Sequence, residues 1–200
     1  MYKYTSIRSH ILGFHGCDKE TGLKVLNGIE KLKPSQNKWD WLGNGIYFWE
    51  HNSMRAFQYA KDVAEGKQKA KAKIEIPFVI GCIIDLGRCL NLTEPSQYTI
   101  VKESYHSLKS TYKHTGQKLP ENIGSARFLD CAVFMHMHYL LELRGHPPYD
   151  TIRGAFPEGK AIYEGCAIKD QTHIQICVRN TDSILGYFLP LPIKKVNPYL

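Results

Sequence analysis

"QTHIQICVRN" (171–180) alternates with a period of two: Ile174, Ile176 and Val178 fall on one face of an extended segment, and His173, Gln175 and Cys177 on the other. A half-buried strand turns its second face to water and fills it with Thr, Lys or Glu, whereas this one carries a His and a Gln. That face looks at something other than bulk solvent.

The chain has 200 residues, 43% apolar and 22% charged, enough for one domain with a substantial core. No stretch approaches the roughly 20 apolar residues that cross a bilayer, which argues against a membrane protein. The opening "MYKYTSIRSHILGFHG" lacks the basic, apolar and small-residue pattern of a secretory signal, so a cytoplasmic location is expected. Six cysteines (17, 82, 89, 131, 166, 177) form no C-x-x-C pair and read as reduced thiols. A net charge of +7 favours an anionic partner, and five lysines crowd into "KDVAEGKQKAKAK" (61–73).

Along the chain, "SHILGF" (9–14) reads as a strand ending at His15-Gly16. "TGLKVLNGIEKLK" (21–33) carries a helical stripe closed by Pro34, and "NSMRAFQYAKDVAEGK" starts at an Asn or Ser cap and runs as a helix to about Gly66. "IPFVIGCIIDLG" (76–87) is the clearest strand, suited to a central position. Two helices follow within 98–146, then a strand in "YDTIRGAF", a turn-rich loop over 157–171, and the strands "HIQICVRN" and "SILGYF". Strands on either side of a helical block predict an α+β fold, one domain over 1–200 with a helical insertion at about 98–146. Asp150, Arg153 and Glu158 are candidates for ion pairs at a strand end. His136 and His138 stand two apart on a predicted helix and do not face the same way, so no metal site is expected.

Three polar interruptions remain: "GFHGC" (13–17), "GNGIYFWE" (43–50) and "THIQICV" (172–178). Together they resemble the ADP-ribosyltransferase family of the diphtheria-toxin and poly-ADP-ribose-polymerase type, whose signature is a His, a Tyr and a Glu on three strands. His15-Gly16-Cys17 matches its His-Gly element, and Gly43-Asn44-Gly45-Ile46-Tyr47-Phe48 its Gly-x-Gly-Ile-Tyr-Phe segment. Tyr59 in "AFQYA" is similar to a second Tyr on the following helix, about one residue further from Tyr47 than in the family. "QICVRNTDSILGYF" matches the last strand and its continuation, with Gln175 in place of the acid. The resemblance covers about 9–66 and 150–188; the helical block has no counterpart.

What the resemblance implies is an ADP-ribosyltransferase fold of split mixed sheets that uses NAD as substrate. The catalytic positions would be His15, Tyr47 and Gln175. The family's NAD contacts would fall on His15 toward the adenosine ribose, the Gly16 backbone toward the nicotinamide carboxamide, Gly45, Tyr47 and Phe48, and Tyr59 against the ring. The chemistry asks for such groups, because the nicotinamide–ribose bond must ionise while the ring and the sugar are held. Gln keeps hydrogen bonding but has neither charge nor a basic site. His173, and Glu158 and Glu164 in the loop before it, would orient the acceptor. The reading that leads is transfer of ADP-ribose to an intracellular macromolecule, nucleic acid marginally before protein, as a toxin or phage-defence effector with a neutralising partner. Two alternatives stay open: an NAD glycohydrolase that depletes the cofactor, and an inactive module that binds nucleic acid.

Overall fold

The apolar run Pro77–Asp85 forms β3, and its place in the sheet explains its composition. β1 (His10–Asp18) pairs with it along its whole length on one side and β7 (Ile184–Phe188) on the other. Residues Pro77 to Cys82 are buried on both faces, so no position along that stretch calls for a polar side chain. The structure is a computed structural model that describes residues 10–68 and 70–200; Ser9, the expected start of the first strand, and Lys69 of the lysine-rich segment lie outside them.

Seven strands form one sheet in the order β4-β5-β6-β2-β1-β3-β7, with β2 at Ile46–Glu50, β4 at Cys89–Asn91, β5 at Thr151–Phe156 and β6 at His173–Val178. Only β4 and β5 run parallel. The helices are α1 (Lys19–Leu26), α2 (Ser53–Ala64), α3 (Tyr98–Thr115), α4 (Phe128–Leu143) and the short α5 (Ile193–Val196). The architecture is α+β, and α3 and α4 sit in sequence between β4 and β5, where the helical block was expected.

Three expectations need correction. The expected split sheets are one continuous seven-stranded sheet, in which β1 and β2 still pair at Gly13 and Phe14. β1 does not stop at His15-Gly16 but continues to Asp18, whose side chain then caps α1 through the Glu20 N–H. α1 stops at Leu26 and not near Pro34. Gly28 at φ 70° ends it in a left-handed turn, with the Ile29 N–H on the Lys24 carbonyl and the Gly28 N–H on that of Val25. Leu32, the last residue of the predicted stripe, still packs in the core from an extended segment.

Register sorts the side chains onto two faces. Phe48, Ile80, Cys82, Ile176 and Val178 fill one, under α1. The other holds two smaller groups, Trp49 with Ala56 of α2 and Cys177 with Phe134 and Met137 of α4. β6 is covered on both sides, so its polar residues meet neighbours and not water.

Candidate functional site

β1 pairs with β2 only at Gly13 and Phe14, opposite Glu50 and Trp49. Beyond that point the two strands separate. The His51 N–H donates to the Leu12 carbonyl, so the peptide groups of even-numbered β1 residues point toward β2. Gly16 therefore turns its N–H and C=O to the side that β2 has left. His15 closes the gap: its Nδ1–H donates to the Tyr47 carbonyl at 2.8 Å, which leaves Nε2 as the acceptor. Burial, opposed by that hydrogen bond, lowers the His15 pKa and keeps the ring neutral. Gly16 also admits α2, since a Cβ there would stand 2.2 Å from the Ala56 carbonyl oxygen.

β2 and β6 pair with Tyr47 opposite Cys177 and Trp49 opposite Gln175. The Tyr47 hydroxyl donates to the Gly43 carbonyl at 2.6 Å and accepts from the Leu42 N–H at 3.1 Å, which fixes the ring against the loop before β2. Burial is the main cause that holds its pKa well above the ordinary value. Gly45 lets this loop lie on β6, because a Cβ would fall 2.4 Å from the Cys177 sulfur.

Around Gln175 the structure assembles a cluster. The Trp41 indole N–H donates to Gln175 Oε1 at 2.6 Å, and its ring packs on Phe156 at 4.8 Å. Trp is a donor only, so this contact orients the amide and leaves its NH₂ as the free end. Room for the indole comes from Gly154, whose Cβ would stand 2.8 Å from it. The Asn52 side chain caps α2 by accepting the Arg55 N–H, and Arg55 and Tyr59, four residues apart, both reach Trp49. Arg55 Nη2 donates to Glu158 Oε2 at 2.6 Å, and His173 Nδ1 stands 3.8 Å from the same oxygen.

His173 is anchored through an Nδ1–H to the Gln171 carbonyl at 2.7 Å. Burial is the leading influence on its ring and lowers its pKa. In this cluster the Trp49 indole nitrogen, Arg55 Nε and Nη1, and His173 Nε2 are buried with no hydrogen-bond partner among the described residues. Elsewhere Arg153 pairs with Glu50 through two hydrogen bonds, and Asp150 accepts from the Arg88 N–H and Asn180. The expected pairing among Asp150, Arg153 and Glu158 is thus replaced by separate partners for each.

No protein-family profile matches the sequence, and no solved structure matches the chain. An uncharacterized protein of Methanocaldococcus jannaschii is 27% identical over 191 residues, which span 86% of this chain and 83% of that protein. Among the described residues, no three His, Cys, Asp or Glu side chains gather as a metal site, and no helix is long and apolar enough to cross a membrane.

Tyr59, Glu158, His173 and Gln175 thus meet in one place, with Tyr47 beside it on the same face. His15 and Phe48 share the opposite face, their rings 5.7 Å apart. Phe48 is wholly buried in the larger core, while His15 reaches the gap edge through Nδ1. Glu164 is exposed further along the loop and has no hydrogen bond or ion pair with the cluster among the described residues. Trp41, Trp49 and Arg55 belong to the site but were not singled out from sequence. The aromatic-rich "KWDWLG" just before the glycine pair is a signal for Trp41 alone, since Trp49 and Arg55 lie outside it.

Proposed function

We propose that the chain is an NAD-dependent ADP-ribosyltransferase of the family it resembles, acting in the cytoplasm on a macromolecular acceptor, with nucleic acid preferred over protein. The observation that carries this is the adjacency of β1, β2 and β6 together with the opening between β1 and β2 at His15-Gly16. Three segments widely separated in sequence come to neighbouring strands, and a backbone edge is left unpaired beside them. In this reading the Gly16 N–H and C=O complement the nicotinamide carboxamide, a group with one donor end and one acceptor end. His15 offers Nε2 to a ribose hydroxyl, and Tyr59 and Tyr47 flank the nicotinamide ring.

Gln175 stands where the ribose next to nicotinamide would lie. With its oxygen held by Trp41, the amide presents N–H donors to a ribose hydroxyl and opposes no positive charge on the sugar. Catalysis then rests on positioning and on leaving-group fit, and the acceptor has to bring an attacking atom that needs no deprotonation. The +7 charge suits an anionic acceptor, and an unrestrained activity of this kind fits a toxin or defence effector held by a neutralising partner.

Incubation with NAD, alone and with RNA, DNA or protein, tests the proposal by nicotinamide release. Release that depends on an added acceptor is expected. Equal release without any acceptor would make the protein an NAD glycohydrolase. No release under any condition, with salt-dependent nucleic-acid binding retained, would make it a binding module.

A further inference from the structure

The cluster beside Gln175 holds more hydrogen-bonding capacity than the protein uses. Trp49 is 4% exposed, Arg55 7% and His173 6%, yet the Trp49 indole N–H, Arg55 Nε–H and the Arg55 Nη1 hydrogens reach no acceptor among the described residues. Leaving such groups unpaired inside a protein forfeits their hydration with nothing in return, most of all where charge is involved. They are close together: the Arg55 guanidinium carbon lies 5.6 Å from the centre of the Trp49 ring, and the Trp49 and His173 rings are 6.0 Å apart. Glu158 takes only the Nη2 end of Arg55.

Two features specify the ligand. Indole and guanidinium only donate, so they call for an acceptor-rich, negatively charged group. His173 Nε2 is the reverse: with Nδ1–H committed to the Gln171 carbonyl, the neutral ring presents a buried lone pair that needs a donor. A carboxylate has no hydrogen to give it, and neither has a phosphodiester. A singly protonated phosphate monoester has both anionic oxygens for Arg55 and Trp49 and a P–OH for His173.

We infer that Arg55, Trp49 and His173 form a binding site for a phosphate monoester, entered from the side of Glu158, whose side chain is 27% accessible against 7% for Arg55 and 1% for His173. The shared chemistry is that of inorganic phosphate and of a phosphorylated nucleic-acid end. Such a group carries anionic oxygens that need no base, the kind of acceptor that Gln175 requires in the proposed transfer. Binding itself does not depend on that reading and is measured without NAD turnover.

The test follows the three indole N–H resonances (Trp39, Trp41, Trp49) of the ¹⁵N-labelled protein, assigned with Trp49→Phe. Inorganic phosphate at constant ionic strength is titrated first, then a 5′-phosphorylated oligonucleotide and its dephosphorylated counterpart. The expected result is a saturable shift of the Trp49 signal with phosphate, with Trp39 unmoved. The phosphorylated oligonucleotide should reproduce the shift at least tenfold more tightly than the dephosphorylated one if the nucleic-acid end is the physiological source; equal weak responses to both oligonucleotides alongside a phosphate shift would assign the site to free phosphate. Trp49→Phe, which keeps the ring, should weaken phosphate binding about tenfold by a thermal-shift titration, and Arg55→Gln should remove it. No saturable Trp49 shift with phosphate, or a phosphate shift that survives undiminished in Arg55→Gln, would overturn the assignment.

Discussion

At the scale of single residues, the proposed chemistry turns on Gln175, whose amide is oriented by a partner and not by its own preference. Trp41 holds the oxygen, so the free end of the amide is its NH₂. In Gln175→Glu the carboxylate can accept from Trp41 with one oxygen and oppose developing sugar charge with the other. The expected outcome is a gain in nicotinamide-release rate on the order of 10²-fold, at the low end for a positioned acid–base group. Steady-state assays of the two proteins at matched stability check this, and an unchanged rate and NAD affinity would remove Gln175 from the ribose. Tyr47 calls for more caution than its motif suggests. Its hydroxyl ties Leu42 and Gly43 together and its ring packs on the α4 side, so Tyr47→Ala is expected to lose about 3 kcal/mol of stability as well as activity. Chemical denaturation of the variant reads the first loss separately from the second.

At the scale of elements, α4 carries a pH liability. His138 is buried, its Nδ1–H donates to the Phe134 carbonyl one turn back, and its pKa is pushed down to about 4 by burial first and by the nearby Arg179 and Arg88 charges. The folded value lies below the ordinary 6.5 of the unfolded chain, so the unfolded chain takes up the proton first. Stability is full above about pH 6.5 and falls as the pH drops toward 4, by about 3 kcal/mol from this residue. His15 and His173 shift in the same direction and deepen the loss. Urea unfolding midpoints across that range should fall for the native sequence and less steeply for His138→Phe; parallel slopes would acquit His138. Elements also show what was legible. β6 announced itself by alternation and α2 by its cap, both local signals. The short β4 did not, since three residues carry no period, and α1 was read too long because Ile29 and Leu32 continued the stripe past a left-handed Gly28. At the other edge, β7 ends before Val79, and Asn197 continues the ladder by pairing both peptide groups of Val79 with its side-chain amide. No pattern in the tail marks that role, because it depends on which strand end the chain returns to.

At the scale of the whole molecule, the sheet order brings positions 15, 47 and 175 onto three consecutive strands and parts β1 from β2 between the first two. The sequence motifs made the first of these readable through a resemblance. The second comes from pairing, which no single segment encodes. Arg55 and Glu158 stand 103 residues apart, and Trp41 and Gln175 stand 134 apart, so the cluster that surrounds Gln175 exists only once the sheet has formed. Under the proposed function, this arrangement moves ADP-ribose from NAD to a macromolecule. Mass analysis of RNA, DNA and protein from cells that express the chain tests it most directly. The predicted result is one species bearing the mass of an ADP-ribose unit, absent from cells that express Tyr47→Ala at a matched level of folded protein. Unmodified macromolecules beside the active chain, with cellular NAD unchanged, would contradict it.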